Sequence, residues 1–443
     1  MKKPRTLLLG ILTALLVAQG VLSQKFIFPQ WKRDYSTGNL GIAEGLTPDQ
    51  LLASLSGLRT LVAGILWVKT DEYFHNGQFD AVVPLVRLVT WLDPRQEEVY
   101  ATGAWHIAYN FTDEQNRSDR RYIPLALRLL QEGVQYNQNH YRLFHETGWL
   151  YYHKIDDDYD KAVKWFEQSV SKPGVLKYLR SILASAYQRD GRIEDALVWY
   201  AKLEKDAADE FAVTKDPTTR ILKDTQEKNL NNHLIRMTSR GYFGKKAGVY
   251  DKYPYDTHNP VNLNFTFKVE VVDKKVIRVT GTWGIPTTGA RVRCVLRDAD
   301  YNLKWEPAPG LDFDIDRNRT FMLDPLYTQN GRFDRRIDMS RNPTMYGFKS
   351  DEYVLEFYFS PRSAPPHIQD KIGWNGEGMT DRQFIDDKVR PGQRVLFTSV
   401  KLTRDQILRR GEYRDGYVYR SPGYKEVTTL EESDVIFRGS MRN

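Results

Sequence analysis

A recurrence at 34 residues constrains this chain more than any other feature. Ala162 and Ala196 are 34 residues apart, and so are Phe166 and Tyr200. The pairs sit in matching stretches, Tyr159-Asp-Lys-Ala-Val-Lys-Trp-Phe166 and Ile193-Glu-Asp-Ala-Leu-Val-Trp-Tyr200. Their apolar residues keep the i, i+3, i+4 spacing of a helix with one buried face. Each stretch follows a second helical pattern: Phe144-x-x-Thr147-Gly148-x-x-Tyr151 before the first, Leu183-Ala184-x-x-Tyr187 before the second, with Gly191 in the intervening turn. Small residues let two helices approach closely, and large ones fill the gaps to their neighbours. A recurring two-helix unit cannot bury its apolar face alone, so such units must stack.

The pattern resembles the tetratricopeptide repeat. Two weaker copies precede the clear ones. One runs through Tyr73, Gly77, Phe79, Val82, Val86, Asp93 and Pro94. The other has Tyr100-x-x-Gly103-Ala104-x-x-Ile107, then Ala126 and Leu130, with a polar insertion between its helices from Asp113 to Arg121. That insertion stretches the repeat to about 44 residues. The resemblance covers residues 47–205, and a polar helix from Pro217 to about Arg240 is expected to cap the stack within a helical region 47–240. It implies a concave face, lined by the first helix of each repeat, that binds extended peptides or partner helices. On the family's frame that face carries Asp71, Phe74 and His75; then Trp105 and Tyr109; then Arg142, His145, Trp149, Tyr152 and His153; then Tyr178, Ser185, Gln188 and Arg189. Aromatic and arginine side chains dominate interface energetics. Phe74, His75, Trp105, Tyr109, Arg142, His145, Trp149, Tyr152, His153 and Arg189 are therefore the candidate partner contacts. Whether each ring faces a partner or packs between helices stays open. His145 and His153 lack the spacing of a zinc-binding HExxH pair.

The chain begins Met1-Lys2-Lys3-Pro4-Arg5, and Thr6 to Ser23 follows without a charge. A basic flank before an apolar run is the form of a secretory signal or signal anchor over residues 1–23. The basic end stays cytoplasmic, so the remainder is expected outside: tethered to the inner membrane facing the periplasm, or secreted if the segment is cleaved. A linker 24–46 leads to a second apolar stretch, Leu51 to Val68, whose helical spacing predicts a packing helix with a second span as the alternative. Thr47, Pro48 and Gln50 mark its start.

After a glycine- and proline-bearing linker, 241–262, the apolar period changes from 3.6 to 2. Leu263, Phe265, Phe267, Val269 and Val271 alternate with polar residues, Asp273-Lys274-Lys275 makes a turn, and Ile277, Val279 and Trp283 resume the alternation. Further strands are expected at 291–297, 319–323, 353–359 and 394–402, giving an antiparallel β-sandwich of immunoglobulin-like type over 263–402, with an extension 403–443. Long irregular stretches are expected at 324–350 and 361–393. The second contains Trp374, Asn375 and Glu377, a candidate ligand loop. There Trp374 either stacks on a sugar or a peptide ring, or folds back to fill a core edge.

The chain therefore reads as a multidomain α + β protein. One cysteine, Cys294, excludes intramolecular disulfides and cysteine-based zinc sites, and its apolar neighbours place it in a core. Asp156, Asp157, Asp158 and Asp160 lack the glycine and distal glutamate of a calcium loop and read as a solvated turn at a helix N-terminus. A net charge of +7, from 64 basic and 57 acidic residues interspersed along the chain, argues against nucleic acid as a partner. No nucleophile elbow, phosphate loop or dinucleotide fingerprint is present, and no cofactor is implied. The expected function is a non-enzymatic scaffold or assembly factor of the bacterial cell envelope that binds a peptide or protein on the concave face. The alternative is a glycan-binding protein of the envelope that uses the Trp374 loop.

Overall fold

A computed structural model describes residues 18–22, 25–26, 29, 58–155, 158–249, 262–285, 290–301, 303–307, 315–381, 383–387, 390–409, 418–420 and 429–430. The expected anchor over 1–23 lies almost wholly outside these residues, as do the helix start at Thr47 to Gln50, most of the 241–262 linker and most of the 403–443 extension. Among the described residues no helix is long and apolar enough to cross a membrane. The chain divides into two compact units, 1–103 and 104–443.

The first unit holds a helical hairpin, α1 (Arg59–His75) and α2 (Phe79–Leu92). Gly77, at φ +69°, allows the tight turn between them. Arg59 at the start of α1 donates to the carbonyls of Trp91 and Leu92 at the end of α2, which fixes the antiparallel arrangement. Val82, Val83, Val86 and Val89 form the buried stripe of α2. Helix α3 (Glu97–Trp105) follows.

The second unit continues the helical pairs. A π-helical turn, His106–Asn110, follows Trp105 and leads through the insertion to α4 (Ile123–Tyr136). Then come α5 (Tyr141–Trp149) with its own π-helical turn (Leu150–Ile155), α6 (Tyr159–Val170), α7 (Lys177–Asp190), α8 (Ile193–Thr214), α9 (Pro217–Ser239) and α10 (Tyr242–Lys246). The residues that carry the 34-residue recurrence behave as a stacked repeat demands. Ala162, Phe166 and Ala196 have no exposed surface. A Cβ on Gly148 would meet the Phe166 ring at 2.7 Å, so the small residue is what admits the second helix. Gly191 closes α7 in the left-handed conformation, and Asp216 caps α9 by accepting from the Thr218 and Thr219 amides.

The β-rich half forms two sheets. The smaller has the order β5 (Arg332–Asp338), β2 (Val276–Thr282), β1 (Thr266–Asp273), β9 (Val418–Arg420). The larger runs β10 (Thr429–Leu430), β7 (Phe384–Asp387), β8 (Arg394–Thr403), β6 (Glu352–Phe359), β3 (Arg291–Asp298), β4 (Phe321–Tyr327). All these pairings are antiparallel except the two-residue contact of β10 with β7. The β1–β2 hairpin turns at Asp273 to Lys275, with a bulge in the register after Val271. Side chains of both sheets share one core, where Phe267 meets Phe357 at 4.7 Å and Trp283 meets Phe359 at 4.9 Å. Cys294 lies in it, and burial raises its thiol pKa well above the ordinary value.

Strand β3 departs from the alternation expected of it: every residue after Arg291 is buried. Val292, Cys294 and Leu296 face the shared core, while Arg293, Val295 and Arg297 point to the other side and are covered as well. On that side Trp305 packs against Phe321, and Arg120 from the helical part lies 5.2 Å over the indole. A sheet covered on both faces loses its period of two.

The stretches 324–350 and 361–393 are not irregular throughout, contrary to the expectation from sequence. They contain part of β4, all of β5 and β7, and a helix α11 (Pro366–Ile372). Strand β5, Arg-Phe-Asp-Arg-Arg-Ile-Asp, has only two apolar residues, and β7 has four residues in all, so neither offers a readable period.

The insertion in the second repeat joins the helices to the sheets. Asp113 and Arg117 pair at 2.6 Å, both nearly fully buried. Arg117 also reaches Asp324 of β4 at 3.4 Å and donates to the Asp338 carbonyl at 2.6 Å. The Tyr346 hydroxyl donates to Asp113 at 2.9 Å. Arg121, held by Asp119 at 2.6 Å, donates to the Arg319 carbonyl at 2.9 Å. Buried charges are tolerated when paired and hydrogen-bonded, and these are.

Candidate functional site

Two repeats place their aromatic residues on matching turns. Trp105 ends α3 and Trp149, 44 residues later, ends α5; each is followed by a π-helical turn that carries the next ring, Tyr109 or His153. A π turn holds an extra residue, widens the helix and is common at functional sites. The rings form a column. Trp105 stacks on Tyr109 at 4.2 Å with the planes 11° apart, and Tyr109 on His153 at 5.8 Å and 12°. His153 stacks on Trp149 at 5.3 Å and 13°, and Trp149 on His145 at 6.1 Å and 24°. Five near-parallel rings thus run from one repeat into the next. Trp105 is 42% exposed, His153 is exposed, and Tyr109, Trp149 and His145 are half-buried.

The column is bordered by cations. The Lys154 ammonium sits 4.6 Å over the Tyr109 ring, and the Arg189 guanidinium 4.6 Å over Tyr152. Arg142 is half-buried on α5. Burial lowers the His145 imidazole to a pKa of about 4, so it is neutral near pH 7 and acts as a polar ring rather than a charge. Rigid rings with polar rims bind a partner at small conformational cost. Lys154 escapes a reading of the sequence because its role comes from the π turn, which no residue pattern announces.

Other expected contacts fall elsewhere. Tyr152 is buried among Trp149, Tyr159 and Phe166, so it packs between helices rather than lining an open face. Gln188 is bonded to the buried His233 of the capping helix α9. Phe74 and His75 belong to the first unit, where the two rings meet edge to face at 5.4 Å and His75 lies 3.4 Å from the Asp71 carboxylate. The acidic turn is not solvated at Asp158. That carboxylate is buried, with Lys161 at 3.5 Å, and burial raises its pKa.

The Trp374 loop is not an open platform. Trp374 is 8% exposed and packs on Ile193 and Met237, with Leu197 and Tyr242 against the same cluster. Arg240 lies 4.6 Å over its ring. Glu377 accepts from the Asn375 amide nitrogen and side chain, and Asn375 in turn accepts from Arg362. Arg362 donates to the Asp190 carbonyl at the end of α7, and Arg240 to the Gln369 carbonyl. The loop fastens the sheets to the last repeats, which removes the ring that a sugar would stack on.

No protein-family model matches the chain, and no curated protein does. Solved structures give weak likenesses. The crystal structure of MamA protein is 14% identical, with 42% of this chain and 96% of that chain covered at a TM-score of 0.26. TTC0263, a thermophilic TPR protein in Thermus thermophilus, is 18% identical, with 49% and 95% covered at a TM-score of 0.25. At those TM-scores neither passes a fold or a partner to this chain. Its helical part is tetratricopeptide-like on its own geometry: paired helices, a 34-residue recurrence, and a small residue where the pair crosses.

Proposed function

We propose that this chain is a non-enzymatic scaffold that seats an extended segment or a helix of a partner protein on the column formed by Trp105, Tyr109, His153 and Trp149. One observation carries the reading. Two successive repeats end a helix on a Trp, carry a second ring, Tyr109 or His153, on the widened turn that follows, and align all four into one surface. Trp and Tyr in such settings supply most of the energy of a protein interface.

The finer reading places the scaffold in a bacterial cell envelope. The basic start and the uncharged run Thr6 to Ser23 support an inner-membrane tether with the rest facing the periplasm, or secretion after cleavage. The working parts are a helical region 47–240 and a β region 263–402, the latter read as an immunoglobulin-like sandwich that braces the repeats. Capture of partners from envelope extracts by the full chain tests the proposal, with Trp105→Ala and Trp149→Ala as variants. Loss of the same captured proteins in both variants is expected. Undiminished capture by the double variant overturns the reading.

A further inference from the structure

We infer that Arg120 is the positioning residue of the ring column: together with the Asp119 amide it holds the two π turns in the register that lets Tyr109 meet His153, and it sets partner affinity from outside the partner's footprint. The inference rests on the column being the partner's seat and says what keeps that seat in shape.

The column crosses from one repeat into the next at the step from Tyr109 to His153. Both rings ride on π turns, His106–Asn110 and Leu150–Ile155. A helix end leaves backbone carbonyls without partners inside the helix. Two carbonyls at these ends, Phe111 just past the first turn and Lys154 within the second, are taken by adjacent residues of the insertion. The Asp119 amide donates to the Phe111 carbonyl at 2.6 Å, and the Arg120 guanidinium donates to the Lys154 carbonyl. Phe111 stands two residues after Tyr109, and Lys154 directly follows His153. One dipeptide therefore fixes both sides of the step. Lys154 repeats the tie through its side chain, whose ammonium lies over Tyr109 at 4.6 Å.

The insertion is folded to deliver that dipeptide. The Asp113 amide donates to the Arg117 carbonyl at 2.9 Å, and Thr112 bridges Ser118. The chain thus doubles back and brings Asp119 to the end of the turn it has just left. Arg117 and Arg121 of the same insertion reach the sheets, whereas Arg120 reaches the second π turn. Arg120 is 5% exposed, so it offers a partner almost no surface. Its guanidinium lies over the ring of Trp305, which is fully buried and packs on Phe321 of β4 at 5.9 Å. A planar guanidinium stacked on an indole keeps one orientation. The β-rich half therefore supplies the plane from which the bond to the π turn is aimed.

The test reads the Tyr109–His153 step in the full chain carrying isotope-labelled histidine, with His153→Gln to assign the ring signal. His153 lies between Tyr109 and Trp149, so the ring currents of both shift its ring protons upfield. Tyr109→Leu gives the signal with the step removed. Arg120→Met keeps the aliphatic stem and removes the donor, and it is expected to move the His153 signal towards the Tyr109→Leu position. Arg120→Lys restores a donor and is expected to return the signal. Trp374→Ala loosens the chain elsewhere and should leave the signal in place. Proteins lost on Trp105→Ala and Trp149→Ala should bind Arg120→Met roughly two- to thirty-fold more weakly. If Arg120→Met does not fold, Arg120→Gln, polar but shorter, is read in its place with the same expectation. An unmoved His153 signal overturns the inference, as does a moved signal with undiminished capture, the same shift in Trp374→Ala, or no recovery in Arg120→Lys. Undiminished capture by both tryptophan variants overturns the scaffold reading instead, and the His153 signal judges the hold of Arg120 on the column in either case.

Discussion

Trp105 and Trp374 both sit in stretches that suggest a binding surface, and the structure treats them oppositely. Trp105 opens a column of near-parallel rings and keeps much of its surface. Trp374, flanked by glycines and acids in a long loop, is buried on Ile193 and Met237 under Arg240. The difference lies in what arrives from elsewhere in the chain. Around Trp374, helices α8, α9 and α10 close over the loop; around Trp105 and Trp149, the π turns align rings along a surface. An aromatic residue in a polar loop is thus no guide to exposure, whereas rings repeated on equivalent turns of a stacked repeat mark a shared face.

Four measurements break or sharpen that contrast. Trp374→Ala should cost about 3–5 kcal/mol of unfolding free energy, as truncation of a buried Trp does. Urea denaturation monitored by circular dichroism reads it, and a loss equal to that of Trp105→Ala would erase the distinction. Arg117→Ala should cost a similar amount, about 3–5 kcal/mol, because it leaves the buried Asp113 without its cation, while Asp324 keeps Arg335 at 3.0 Å. A near-neutral result would mean that the insertion does not hold the sheets. Trp105→Ala should leave stability within about 1 kcal/mol yet weaken partner binding by about 2 kcal/mol, or roughly thirty-fold, in a titration with the captured partner.

The smallest effect is in the pH dependence. His145 has a folded pKa lowered to about 4 by burial, below its ordinary 6.5, so protons favour the unfolded chain and its contribution is lost as pH falls from 6.5 towards 4. Asp190 acts in the opposite sense: burial raises it from 3.8 to about 6, so the folded chain takes up the proton first and gains stability as pH falls through 6. His145→Gln should therefore lose less stability than the wild type between pH 7 and pH 5. Parallel urea midpoints at the two pH values would show that His145 is not held neutral in the column.

Much of the helical part was legible because its cause is local. Phe144, Gly148, Ala162, Phe166 and Ala196 repeat at helical spacing, and the close approach of Gly148 to Phe166 is the contact that spacing implies. The first β-hairpin was legible for the same reason. Strand β5 was not, since its charged residues hide the alternation, and β3 misled in the other direction because both faces of its sheet are covered. Tyr152 shared a frame position with the binding residues, but the π turn packs it against Tyr159 and Phe166 of α6 and buries it.

By itself the sequence determined the helical repeat, the change of period after residue 262 and the single core cysteine, all written in spacings of a few residues. Only the tertiary structure decided that Asp113 to Arg121 is a buried fastening to the sheets, that the Trp374 loop is a brace, and that five rings line up across two helix ends and the π turns after them. Those outcomes depend on pairs such as Arg117 with Asp324 and Arg240 with Gln369. Burial and pairing at that range are set by what packs against a residue, and a one-dimensional pattern has no term for it.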